Sequence, residues 1–75
     1  MKTYLLGIDV GTTGTKTMLF SAEGNCIAHA YEGYPTQTPN VGWSEQNPLD
    51  WWNAVVNTVR QVCDGSQNVV AISLS

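Results

Sequence analysis

Apolar positions fall into four strand-like blocks and one stretch with a helical period. The first block, "TYLLGIDV" from Thr3 to Val10, is almost continuous and predicts a buried strand. "KTMLF", Lys16 to Phe20, is rich in β-prone residues and predicts a second strand. Between them "GTTGT" reads as a turn, and two strands joined by a short Gly-rich link predict an antiparallel hairpin. "SAEGN", Ser21 to Asn25, is a second turn, with Gly24 and Asn25 suited to positive φ. "CIAHAYEGY", Cys26 to Tyr34, predicts a third strand that fades at Gly33. The polar run "PTQTPNVGWSEQ" reads as a loop broken by Pro35, Pro39 and Gly42.

The periodic stretch follows. Asn47 suits an N-cap, a feature worth ~1 kcal/mol, and Pro48 suits the first helical position. Asp50 complements the positive end of the helix dipole. Leu49, Trp52, Val56, Val59 and Cys63 recur on one face, with Val55 and Val62 on its flank, so the spacing predicts a helix over about 48–63. Gly65 suits a left-handed helix stop. "NVVAISLS", Asn68 to Ser75, predicts a fourth strand apolar enough for a sheet interior. The order is β-β-β-α-β, an α/β arrangement: an antiparallel meander, a crossover helix, and a strand returning parallel to the first in a mixed sheet. Ser75 falls at the end of an apolar strand, so residues 1–75 read as the front piece of a longer, truncated fold.

Composition narrows the function classes. Three basic residues (Lys2, Lys16, Arg60) face six acidic ones, a net charge of −3, and no basic cluster suits a nucleic-acid surface. Runs such as Val69 to Ile72 are far shorter than the ~20 residues that span a bilayer, and the N-terminus lacks a secretory pattern. Cys26 and Cys63 stand apart from each other and from any paired His, as reduced cytoplasmic thiols do.

Asp9 raises the chemical question, because a carboxylate in an apolar strand is costly unless something compensates it. The end of a strand, where ligands collect in open α/β sheets, supplies one reason. The loop after it can offer backbone N–H groups to an anion, with Gly11 and Gly14 allowing close approach. Thr12, Thr13 and Thr15 add hydroxyls, and Lys16 adds a positive charge. A single carboxylate beside such a loop suits Mg²⁺, which keeps most of its waters. Together these residues suit a nucleoside triphosphate. A plain hairpin turn capped by Asp9 fits the spacing equally well. The loop lacks the Gly-Lys-Ser/Thr ending of a P-loop and the third Gly of a dinucleotide fingerprint.

"GIDVGTTGTK", Gly7 to Lys16, resembles the first phosphate-binding hairpin of the actin/hexokinase-like ATPase superfamily, whose fold is ribonuclease H-like. "GWSEQNPLDWWNAV", Gly42 to Val55, resembles the corresponding segment of the FGGY carbohydrate kinases, most of all the xylulokinases. "AISLS", Ala71 to Ser75, resembles the strand that leads into a sugar-contacting loop in those kinases. The resemblance spans essentially the whole chain but only the start of such an enzyme. It implies phosphoryl transfer from Mg·ATP to a sugar or polyol hydroxyl, xylulose by preference, in the cytoplasm. It implies that Asp9 supports Mg²⁺ and the transferring phosphoryl group. It implies that Thr12, Thr13 and Gly14, flanked by Gly11 and Thr15, contact the phosphates, and that Lys16 neutralises them. The catalytic base, the second phosphate loop and the adenosine pocket would lie beyond these residues. The apolar last strand, if unpaired, would favour a homodimer or strand exchange.

Two rivals remain at this stage. One is a nucleotide-binding or regulatory module of the same fold without catalysis. The other, a resolvase-like nuclease, is disfavoured by the acidic charge. Trp43, Trp51 and Trp52 invite a sugar-stacking role, but Trp52 fits the core of the helix face, Trp51 its flank and Trp43 an anchor for the loop. Glu45 reads as a structural hydrogen-bond partner, His29 as a solvated strand residue and Cys63 as a small hydrophobe.

Overall fold

The computed structural model describes residues 2–34, 37–40, 43–45 and 48–75, the backbone alone for 37–40 and 43–45. Strands β1 (Thr3–Val10), β2 (Gly14–Ser21) and β3 (Cys26–Gly33) form the expected antiparallel meander. Helix α1 (Pro48–Val62) leads to the last strand of the chain, which runs parallel to β1. The segment read as a polar loop instead pairs with itself: β4 (Gln37–Asn40) and β5 (Trp43–Glu45) make a separate antiparallel ribbon. Pro39 does not forbid this, because each strand of a two-stranded ribbon is an edge and can spare an N–H. With β6 (Asn68–Leu74) in place, the main sheet has the order β3-β2-β1-β6. Asn47, Pro35 and Gly42 lie outside the described residues, as do the side chains of Trp43 and Glu45.

Alternation in β1 and β2 sends Leu6, Ile8, Thr15, Thr17 and Leu19 to the face under α1. The helix packs mainly on β2 and β3, and Ala30 and Val62 complete the core. Ala54 and Thr58 are the residues of α1 with no exposure at all. Thr58 gives its only proton to the Ala54 carbonyl, 2.7 Å away, so its oxygen accepts the Thr17 hydroxyl of β2, also at 2.7 Å. A buried polar pair thereby satisfies itself and pins the helix to the sheet. Asn57 adds an outer tie, its amide donating to the Glu32 carboxylate at 3.1 Å.

The inward face of α1 is therefore turned from the one the large apolar residues suggest. Leu49 and Trp52 are about two-thirds exposed (66% and 64%), and the expectation of a buried Trp52 fails. Small side chains decide it: Ala54 and Thr58 let the helix lie close on β2, with Val55 and Val59 beside them. Trp51 is half-buried, and its indole N–H has no partner among the described residues. Gly24 and Gly65 hold positive φ (91° and 93°), as their turn positions suggest, whereas Asn25 does not. On β6, Val70, Ile72 and Leu74 are exposed, and β1 is its one neighbour among the described strands. The strand is apolar enough for a sheet interior, and among the described strands it stands at the edge, the unpaired position that the sequence reading allows for.

Candidate phosphate site

The face of the sheet away from α1 carries Asp9 and Lys16. Asp9 of β1 lies directly opposite Lys16 of β2. Opposed residues of an antiparallel pair project to the same side about 4.5–5.5 Å apart at Cβ, so the two side chains leave the sheet side by side, both solvent-exposed. Lys16 is in turn opposite Tyr31 of β3. On the other flank, the Ser75 N–H donates to the Ile8 carbonyl at 3.0 Å, and the Ser75 carbonyl accepts from Val10 N–H at 2.8 Å. Those two bonds bracket Asp9, so Ser75, Asp9, Lys16 and Tyr31 form one transverse row near the C-terminal end of β1.

The loop sits at the same end. Gly11 N–H donates to the Gly14 carbonyl at 2.9 Å, which leaves Thr12 and Thr13 at the exposed tip. Neither of these glycines has positive φ; their role is space. A Cβ on Gly11 would stand 3.2 Å from the Gly14 carbonyl oxygen. One on Gly14 would fall onto the Tyr31 hydroxyl and lie 2.7 Å from the Glu32 carbonyl oxygen. The backbone of the loop is thus as bare and as tightly folded as an anion-binding turn requires.

Thr15 departs from the expectation of a phosphate-contacting hydroxyl. It is fully buried on the helix side of β2, and its Oγ1 lies 2.6 Å from the Tyr34 hydroxyl. Strand alternation causes this: Lys16 faces out, so Thr15 and Thr17 face in. The structure brings together Asp9, Gly11, Thr12, Thr13, Gly14 and Lys16, and removes the Thr15 hydroxyl from that set. Tyr31, Tyr34 and Ser75 join the neighbourhood without having been singled out from the sequence. The Ser21–Asn25 turn pairs Phe20 with Cys26, and an irregularity between Leu19 and Phe20 shifts the register by one to set Tyr31 opposite Lys16, which no local pattern marks.

The donor set is informative about a metal. Among the described residues no three His, Cys, Asp or Glu side chains cluster, so a closed thiolate or imidazole cage has no basis there. Asp9 alone fits a hard cation that retains waters. The remaining acid–base chemistry lies elsewhere. Hydrogen bonds from the Ser66 hydroxyl and amide hold the Asp64 carboxyl below the usual range. Burial, then the charge of Asp64, pushes the Cys63 thiol up, which keeps it a neutral packing group. A pocket lined by Lys2, Tyr4, Ser21, Glu23 and Ile27 lies at the opposite end of the β1–β2 pair, beside the Ser21–Asn25 turn. Among the described residues no helix is long and apolar enough to cross a membrane.

Comparison with known proteins fits this geometry. The FGGY family of carbohydrate kinases, N-terminal domain, matches residues 4–75. Gluconokinase of Bacillus subtilis (strain 168) is 44% identical over 62 residues, which are 83% of this chain and 12% of that protein. The gluconate kinase structure from Lactobacillus acidophilus superposes with a TM-score of 0.86 at 36% identity, covering 100% of this chain and 15% of the other. The ligand-bound xylulose kinase from the same organism gives 0.83 at 37% identity, covering 97% and 15%. The sheet and helix are thus the ribonuclease H-like arrangement of the actin-like ATPases, in a chain spanning roughly an eighth of the length of its curated relatives. With the family matched from Tyr4 to Ser75, this chain belongs to the FGGY carbohydrate kinases.

Proposed function

We propose that this chain supplies the first phosphate loop of an ATP-dependent kinase acting on a sugar or polyol hydroxyl, as the opening part of a longer cytoplasmic enzyme. One observation carries the reading: Asp9 and Lys16 stand side by side on the open face, next to the bare Gly11–Gly14 turn. Thr12, Thr13 and the amides from Gly11 to Gly14 would hold the β- and γ-phosphates, and Lys16 would balance their charge. Asp9 would hold Mg²⁺ through its waters, and that ion would supply charge neutralisation at the transferring group. The residues in hand position and neutralise; the family resemblance assigns proton removal from the acceptor hydroxyl to a carboxylate outside this chain. Ser75 ends beside Asp9, which suits a following sugar-contacting loop. The relatives' names offer gluconate, glycerol and xylulose as acceptors, and xylulose remains the first to test.

A chimera tests this reading. Residues 1–75 replace the matching segment of the Lactobacillus acidophilus gluconate kinase, which covers the whole chain. Mg·ATP-dependent phosphorylation of gluconate, xylulose and glycerol is then measured. Turnover that vanishes without Mg²⁺ is the expected result. A chimera that melts cooperatively yet transfers no phosphoryl group would overturn the reading.

A further inference from the structure

The end of β3 grips the loop at three points. The Tyr34 N–H donates to the Thr13 carbonyl at 3.0 Å. The Tyr34 hydroxyl bonds Thr15 Oγ1 at 2.6 Å, just after the loop. The Tyr31 hydroxyl lies 3.3 Å from Thr13 Oγ1, and its ring occupies the space a side chain on Gly14 would need. Tyr34 is half-buried and ties down the inner side, whereas Tyr31 is 57% exposed and sits on the outer side in the row with Lys16. The Tyr31 phenol thus meets Thr13 and Gly14 on the outer face, while Tyr34 holds Thr13 through its N–H and Thr15 through its hydroxyl on the inner one.

A phosphate loop works by presenting amides in a fixed pattern, and a loop that must first order itself binds more weakly. The Gly11 N–H to Gly14 carbonyl bond closes the turn, but glycines at both of its ends leave the backbone wide freedom. The restraint has to come from the neighbouring strand. We propose that Tyr31 is a positioning residue that presets the Thr12–Gly14 tip for polyphosphate. This rests on the phosphate-loop reading. Tyr31 separates positioning from stability, because its exposed hydroxyl leaves no buried group unpaired when removed. Tyr34 does not, because its loss strands the buried Thr15 hydroxyl.

The test uses the same chimera with ¹⁵N labelling, comparing the parent chimera with its Tyr31→Phe and Tyr31→Ala variants. Loop order is read without ligand from heteronuclear NOEs at Thr12, Thr13 and Gly14. Affinity is read by titrating magnesium tripolyphosphate. The expected result is graded. Tyr31→Phe weakens binding about twofold, as for one weak hydrogen bond, and Tyr31→Ala about tenfold, with falling NOEs at the tip. Thermal midpoints stay within about 2 °C of the parent, as for a surface change. If tripolyphosphate moves no loop amide in the parent, the phosphate-loop reading fails, whatever Tyr31 does to loop order. If it moves those amides in the parent, but both variants keep parental NOEs and affinity, the positioning role of Tyr31 is overturned.

Discussion

The two faces of this sheet divide the work. Under α1 lie Leu6, Ile8, Leu19, Ala30 and Val62, together with the self-satisfied Thr17–Thr58 pair. On the opposite face, the same strands carry Asp9, Lys16 and Tyr31 one residue out of phase with that core. Period-2 alternation lets adjacent residues serve different ends: Ile8 builds the core while Asp9 does not touch it. A substitution on one face should therefore register in stability, and one on the other in ligand chemistry.

Leu19→Ala is the largest blow to the covered face. Leu19 is 1% exposed, and such truncations cost about 2–5 kcal/mol, enough to unfold most of a chain with so small a core. Circular dichroism against urea reads this, and a native-like midpoint would mean that the core lies elsewhere. Asp9→Asn comes next, on the open face. In the chimera it should slow phosphoryl transfer about 10²- to 10³-fold, the scale of removing one transition-state stabiliser, and leave the melt unchanged. Near-normal turnover at saturating Mg·ATP would reduce Asp9 to a turn cap. Thr58→Val returns to the covered face. It strands the Thr17 hydroxyl and should cost about 1–3 kcal/mol with the Mg·ATP KM unmoved. Lys16→Ala is the mildest, weakening ATP about tenfold by calorimetry with the sugar affinity unchanged. Equal losses for both ligands would show that the two faces are not independent.

Much of this division was legible in the residues. The nearly continuous apolar run of β1, the Gly-Thr loop and the return strand gave the meander and the parallel β6, and the register of Asp9 against Lys16 came with the structure. The helix face was not legible from bulk alone. Trp52 and Leu49 share the spacing of Val59, and only the close approach allowed by Ala54 and Thr58 chooses between the two stripes. By composition Thr15 belongs with the polar loop, but strand alternation begins there and turns its hydroxyl inward. The β4–β5 ribbon escaped notice because its residues are polar and include Pro39, so neither propensity nor alternation marks them. Tyr31 and Tyr34 act through register with a neighbouring strand, which local pattern does not display.

Hydrogen–deuterium exchange of the chimera, with and without Mg·ATP, tests most directly whether polyphosphate seats on the open-face row. Slower exchange in peptides spanning Gly11 to Lys16, with the buried stretch from Ala54 to Val62 unchanged, is the expected result. Protection confined to that helix, with the Gly11–Lys16 peptides exchanging as fast as without nucleotide, would contradict it.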